Sequence, residues 1–247
     1  MDLQGKNVLI TGAAKRIGRE IALTLAARGA CILAHYRRSR KEAETLRKEI
    51  EQNGGQALLF QADFSGNFLE TKIRRFVNEI YKKAGRVDVL INNASLFYPA
   101  PLGKIKEKDW DELLTANLKA PFFLSQEIGM RMMKQKSGKI INLLDWTAER
   151  PYENYLPYCI SKGGLLTATR GLAKALAPHV QVLGISPGPV LPPAGIKQGV
   201  KNKAVQKTLL KRFGHPRDIA ETVRFFIEGT DFITGACLPV DGGAMLA

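Results

Sequence analysis

Asn7–Gly18 reads N-V-L-I-T-G-A-A-K-R-I-G, and this stretch decides the fold. N-V-L-I (Asn7–Ile10) is a short apolar run of the kind that forms a strand buried on both faces. Ile17, Ile21 and Leu25 follow at helical spacing, and Gly29 ends the pattern. A strand therefore passes into a helix through one glycine-punctuated turn. Gly12 permits the tight turn, and Gly18 permits close approach of helix, strand and bound ligand. The helix start offers free N–H groups and the positive end of a dipole to a phosphate. Ile17, between Arg16 and Gly18, belongs to the same candidate nucleotide loop. Arg16 stands where a middle glycine is common. A first-turn cation opposes the helix dipole, so Arg16 reads as a ligand group beside the phosphates.

The strand–helix alternation continues along the chain. Strands are expected at Cys31–His35, Ala57–Gln61, Val87–Ile91, Lys139–Leu144, Val180–Ile185 and Cys237–Val240. Between them lie a helix capped by Ser39 and closed by Gly54-Gly55, one over Phe68–Ala84, two near Lys108–Leu118 and Pro121–Gln135, and one carrying Tyr158 to about Ala177. Such alternation makes right-handed βαβ units. The expected fold is α/β: a single-domain, Rossmann-type, doubly wound parallel seven-stranded sheet with helices on both faces, spanning 1–247. Ligands of such sheets bind beyond the carboxyl ends of the strands, at the switch point. Residues 188–211 break the rhythm with several prolines and glycines and read as a lid over the substrate.

After the second strand comes H-Y-R-R-S (His35–Ser39). An acidic residue here would grip a ribose 2′-hydroxyl and select NAD. Arg37, Arg38 and Ser39 instead suit a 2′-phosphate, which indicates NADP(H). His35 and Tyr36 fall on the ribose side, His35 as a structural or cofactor-side residue rather than a catalyst. The formal net charge of the 247 residues is +14. Part of that charge, Lys15, Arg16, Arg19, Arg37 and Arg38, gathers where the dinucleotide would lie. Lys134, Lys136, Lys139, Lys201, Lys203 and Lys207 read as scattered. No aromatic-interleaved basic stripe argues for specific nucleic-acid binding. Three separated cysteines, Cys31, Cys159 and Cys237, read as free thiols rather than a disulfide or metal set. With no apolar run of membrane-spanning length and no signal-peptide pattern, the expected location is cytoplasmic.

The catalytic signal is Y-C-I-S-K, Tyr158 to Lys162. Four residues apart on a helix, the two side chains share one face. An ammonium beside the phenol is expected to lower its pKa and make it a usable general acid. Asp145 lies thirteen residues earlier, at the end of the fifth strand.

These motifs resemble the short-chain dehydrogenase/reductase family along nearly the whole chain. The matching residues are T-G-x-x-x-x-x-G, Asp63 after the third strand, N-N-A at Asn92–Ala94, Asn117 in T-A-N-L, Y-x-x-x-K, P-G at Pro187–Gly188 and V-D-G-G at Val240–Gly243. Within the family, arginine in the glycine slot, H-Y-R-R-S, N-A-S-L-F-Y-P (Asn93–Pro99) and Asp145 look most like the pteridine and dihydromonapterin reductases. The resemblance implies that Asp63, with neighbouring Phe64, contacts the adenine. It implies that Asn92, Ala94 and Ser95 lie on the nicotinamide side, with Pro187 and Gly188 also on the cofactor. It implies that Phe97 stacks on a flat heterocycle, and that Arg16 reaches both pterin and pyrophosphate. Asn117 would anchor a water joining Lys162 to solvent, and the assembly would be a homotetramer.

Most family members resemble carbonyl reductases with serine in place of Asp145. A carboxylate would repel the oxyanion of a ketone but would accept from a ring N–H or amino group. The expected substrate is therefore a dihydropterin, with folate as a further candidate, contacted by Arg16, Ser95, Phe97, Asp145 and Tyr158. The alternatives are a carbonyl or 3-oxoacyl thioester reductase and a non-catalytic NADP(H)-binding regulator.

Overall fold

A computed structural model describes residues 1–191 and 205–247. Seven parallel strands form one sheet: β1 (Asn7–Ile10), β2 (Cys31–Tyr36), β3 (Gln56–Gln61), β4 (Val89–Asn92), β5 (Gly138–Leu143), β6 (Val180–Pro187) and β7 (Cys237–Val240). Their order is β3-β2-β1-β4-β5-β6-β7, so the winding reverses between β1 and β4. The α-helices among the described residues are α1 (Arg16–Ala26), α2 (Arg40–Gln52), α3 (Leu69–Ala84), α4 (Glu107–Leu114), α5 (Ala120–Gln135), α6 (Leu156–Ala175) and α7 (Pro216–Glu228). The fold is the doubly wound α/β architecture expected from the sequence.

Strand side chains alternate between two cores. Val8, Ile10, Ile32, Val89, Ile91 and Ile141 pack with α1, α2 and α7 on one face. Leu9, Leu33, Leu90, Ile140 and Val182 pack with α3, α5 and α6 on the other. Burial on both faces explains why the strand sequences are continuously apolar. Truncating one central residue, such as Ile91 to alanine, should cost about 2–5 kcal/mol.

Two regions differ from the sequence reading. The expected break before Pro121 is instead a π turn, Thr115–Lys119, joining α4 to α5. Pro121 has no N–H to give to the carbonyl of Asn117 four residues back, so a regular α-helix cannot pass through. Lys139, read as one of several scattered lysines, is buried at the start of β5. Its ammonium donates to Phe226 O and Ile227 O, both at 3.0 Å, and pairs with Asp231 at 2.8 Å. It therefore caps the last turn of α7, where a cation meets the negative end of the helix dipole.

The proposed lid at 188–211 falls largely on residues 192–204, outside the described residues. Its entry, Gly188–Leu191, is described. A Cβ on Gly188 would lie 2.5 Å from the Asp241 Cα, so only glycine fits against the V-D-G-G turn. No helix among the described residues is long and apolar enough to cross a membrane.

Candidate active site

A cleft of about 1130 Å³ opens beyond the carboxyl ends of β1, β2, β4, β5 and β6. Gly12, Arg16, Ile17, Gly18, Tyr36, Arg37, Arg38, Ser39, Ala94, Ser95, Phe97, Asp145, Tyr158, Lys162, Pro187 and Gly188 all line it. The motifs are far apart in the chain, and the sheet's switch point brings them together.

At one end, the loop after β1 is locked to the loop after β4. The Thr11 hydroxyl accepts from the N–H groups of Asn93 and Ala94 at 2.9 and 3.0 Å. The Asn93 amide donates back to the Thr11 and Gly12 carbonyls at 2.8 and 3.1 Å. A Cβ on Gly18 would lie 2.4 Å from the Gly12 oxygen, so the close approach requires glycine. Arg16 has φ +54°, in the left-handed region that glycine tolerates best. This is why a glycine is common there, and holding an arginine so costs about 1 kcal/mol. Its guanidinium donates to the Leu191 carbonyl at 3.2 Å, across the cleft. Lys15, Arg37 and Arg38 surround the same end. The start of α1, a cradle that tolerates no Cβ and these cations fit a dinucleotide carrying an extra phosphate.

Five expected site residues lie outside the cleft lining. His35 is buried, and its Nδ1 accepts from Gly12 N at 3.3 Å while Nε2 faces the Ala62 carbonyl at 3.2 Å. Burial pushes its pKa down to about 4, so it is neutral and supports the loop from behind. Phe64 stacks on His35, with centroids 5.0 Å apart. Asn92 is buried and donates to Ser125 Oγ and Asn142 Oδ1 at 2.9 and 2.8 Å, tying β4 to β5 and α5. The exposed Asp63 accepts from Ser65 N at 2.9 Å. Despite some desolvation, that bond and the Arg37 and Arg38 charges hold its carboxyl below the usual range. Asn117 is buried, and its side chain is committed to the Leu96 backbone, accepting at 2.8 Å and donating at 2.9 Å. Any part it plays with water thus falls to its main-chain carbonyl, which Pro121 leaves without an α-helical partner.

At the other end, Tyr158 Oη donates to Asp145 Oδ2 at 2.7 Å, and Asp145 Oδ1 accepts from Thr147 N at 2.9 Å. Thr147 belongs to the short 3₁₀ turn Trp146–Ala148 that fixes the carboxylate after β5. The fully buried Lys162 donates to the Leu143 carbonyl at 2.8 Å, and its Nζ is 5.8 Å from the Tyr158 ring centre. This corrects the expectation that Lys162 lowers the phenol pKa. Burial pushes Tyr158 well above its ordinary value, and the Asp145 charge and hydrogen bond add to the effect. Burial likewise pulls Lys162 down to about 8, against the attraction of Asp145. The phenol therefore carries its proton throughout the neutral range, aimed at a carboxylate.

Phe97 is exposed and lies parallel to Tyr155, with centroids 4.6 Å apart and planes at 5°, and edge-on to Tyr158 at 4.8 Å. Tyr155 thus covers one Phe97 face, a partner the sequence reading missed. Tyr152 and Trp146 continue the aromatic wall. Thr11 and Asn93 were missed as loop locks although each is embedded in a recognised motif. The three-residue step from Tyr155 to Tyr158, one turn of helix, was the available signal for Tyr155.

Residues 6–203 match the family model described as short chain dehydrogenase. The chain belongs to the short-chain dehydrogenase family. Among curated relatives, 3-oxoacyl-[acyl-carrier-protein] reductase FabG of Thermotoga maritima is 32% identical, with all of both chains covered. The protein of the same name from Staphylococcus epidermidis is 32% identical, covering 96% of this chain and 98% of its own. The 3-oxoacyl-[acyl-carrier-protein] reductase of Synechocystis is 31% identical, covering 99% and 98%. The chain is thus an oxidoreductase of that family. The relatives' names match the thioester alternative rather than the pteridine subgroup.

Proposed function

We propose that the protein is an NADP(H)-dependent reductase acting on a C=N bond of a flat nitrogen heterocycle of the pteridine class. The observation that carries this reading is the 2.7 Å hydrogen bond from Tyr158 to Asp145. A ketone becoming an alkoxide needs donors around its oxygen, and an ionised carboxylate there opposes the developing charge. A heterocycle offers its own N–H or amino donors, which Asp145 can accept while Tyr158 gives a proton to the reduced nitrogen.

Bound NADPH would supply the hydride. The N-terminus of α1, Arg37 and Arg38 would hold its phosphates, and Ser39 would add a hydroxyl donor. Lys162, anchored on Leu143, would orient the ribose and fix charge beneath Tyr158. The Asn117 carbonyl would hold the water that returns a proton to that chain. Phe97, backed by Tyr155, would present its face to the ring, and Arg16 would span phosphate and substrate. The family resemblance supports a homotetramer, and exposed Phe225, Phe232 and Leu238 are apolar surface available for such contacts. Three free cysteines support a reducing, cytoplasmic setting.

A second reading, reduction of 3-oxoacyl thioesters, is favoured by the names of the relatives. Steady-state assays with NADPH separate the two. Turnover of dihydrobiopterin or dihydromonapterin is the expected result. No pterin turnover alongside good turnover of acetoacetyl thioesters would replace the first reading with the second.

A further inference from the structure

The aromatic wall of the cleft also borders a side chamber of about 350 Å³. Trp146, Pro151, Tyr152 and Lys207 line both spaces, so the chamber adjoins the cleft. Trp146 and Tyr152 meet edge to face at 5.4 Å, which makes a rigid wall. Two cations lie on the chamber. Arg150 is occupied, because its guanidinium donates to the Ala244 and Met245 carbonyls, both at 3.1 Å, and to Ala247. Lys207 is different. Its ammonium lies 5.4 Å from the centre of the Tyr152 ring and has no carboxylate partner among the described residues. The sequence supplies none nearby: from Gly188 to Phe213 there is no Asp or Glu. Asp145 and Glu153, the acids on the cleft, both lie outside the chamber lining.

An ammonium left over an aromatic face at the junction of two cavities is a receptor for an anion that arrives with the ligand. We propose that Lys207 is a specificity-determining residue. It selects a substrate whose reacting group sits at Tyr158 and whose anionic substituent extends along Trp146 and Tyr152 into the side chamber. This deepens the reductase reading and rests on it, but does not depend on which reacting group is correct. The anion could be a carboxylate on an arm of a heterocycle or a phosphate on the arm of a thioester.

The test uses two substrate pairs with NADPH, wild-type protein and Lys207→Gln. One pair is dihydrofolate and dihydrobiopterin, acidic and neutral arms on one ring system. The other is acetoacetyl-CoA and acetoacetyl-N-acetylcysteamine, charged and neutral arms on one thioester. Whichever pair is turned over identifies the reacting group, so failure of the pteridine reading appears as a switch of pair. Within that pair, Lys207→Gln is expected to lower kcat/KM for the anionic member about fivefold more than for the neutral one, mainly through KM. That is the scale of one solvent-accessible charge contact. The difference should shrink at high salt. Equal losses for both members, or none, would overturn the proposal.

If neither pair turns over, binding to NADP⁺-loaded protein decides. In a Trp110→Phe background, quenching of Trp146 should show folate binding more tightly than its diamide, with the advantage lost in Lys207→Gln. Equal affinities in the parent, or an advantage that survives in Lys207→Gln, would sink the assignment.

Discussion

The two ends of the cleft are built differently. The proposed phosphate end is made of backbone: a glycine turn, a helix start and two loops clamped by Thr11 and Asn93. The chemical end is made of buried side chains from separate segments, Asp145 after β5 and Tyr158 and Lys162 on α6. Backbone cradles tolerate change poorly in shape but well in charge. Buried ionisable groups tolerate the reverse, because in a desolvated site each proton position depends on its neighbours.

Exchanging the carboxylate tests the chemical end most severely. Asp145→Ser keeps a small polar group but removes the charged carboxylate acceptor. Turnover of a dihydropterin should fall by roughly 10²–10³-fold, the scale of one general acid–base or oxyanion contact. Reduction of an acetoacetyl thioester should rise. NADP(H) affinity should hold within about threefold, since the phosphate end is untouched. Full pterin turnover by this variant would remove Asp145 from the mechanism.

Gly18→Ala is the counterpart at the phosphate end. Its Cβ would meet the Gly12 oxygen at 2.4 Å and the Asn93 amide at 2.5 Å. The clash should destabilise the fold by about 1–3 kcal/mol and weaken NADP(H) binding at least tenfold. Denaturant titration and cofactor fluorescence measure the two. Unchanged affinity would mean that the loop is not the phosphate cradle.

pH sharpens the contrast because Lys162 moves activity and stability in opposite directions. The folded protein releases this proton near about 8, whereas the unfolded lysine holds it to the ordinary 10.5. Between those values the folded state binds fewer protons, so this group's contribution to stability rises with pH. The ammonium is lost over the same range, so kcat/KM should fall as pH passes through about 8. Lys162→Met should abolish the rise in stability seen by thermal denaturation. A base limb of wild-type activity above pH 10 would contradict the charged-lysine role.

The smallest expected effect is at Arg16. Arg16→Gly removes the strain of a φ of +54° and should stabilise the apoprotein by about 1 kcal/mol, a few degrees in Tm. It should weaken NADPH binding at the same time. A change of the same sign in both would mean that the arginine does not contact the cofactor.

The clarity of the sequence followed the same division. T-G-A-A-K-R-I-G and the Y-R-R-S that follows His35 are local and sit at strand ends, so spacing alone placed them on the cleft. His35, Asn92 and Asn117 belong to equally clear motifs but face inward. A motif fixes the position of a backbone atom without fixing which side of the sheet its side chain enters. Lys139 and Lys207 show the limit from the other direction. Both read as surface charge: Lys139 is instead buried under the end of α7, whereas Lys207 is exposed as read but also stands over Tyr152.

The sequence by itself determined the strand–helix alternation, the parallel sheet and the identity of the groups available for chemistry. Periodicity and glycine placement are properties of neighbours in the chain. Tertiary structure alone decided their protonation and their partners. Tyr158 and Lys162 share a helix face as expected, but burial moves the phenol up and the ammonium down. The lysine turns to the Leu143 carbonyl and the tyrosine to Asp145. Desolvation and hydrogen-bond geometry arise only when β5, α6 and the turn at Trp146 close around the same few ångströms.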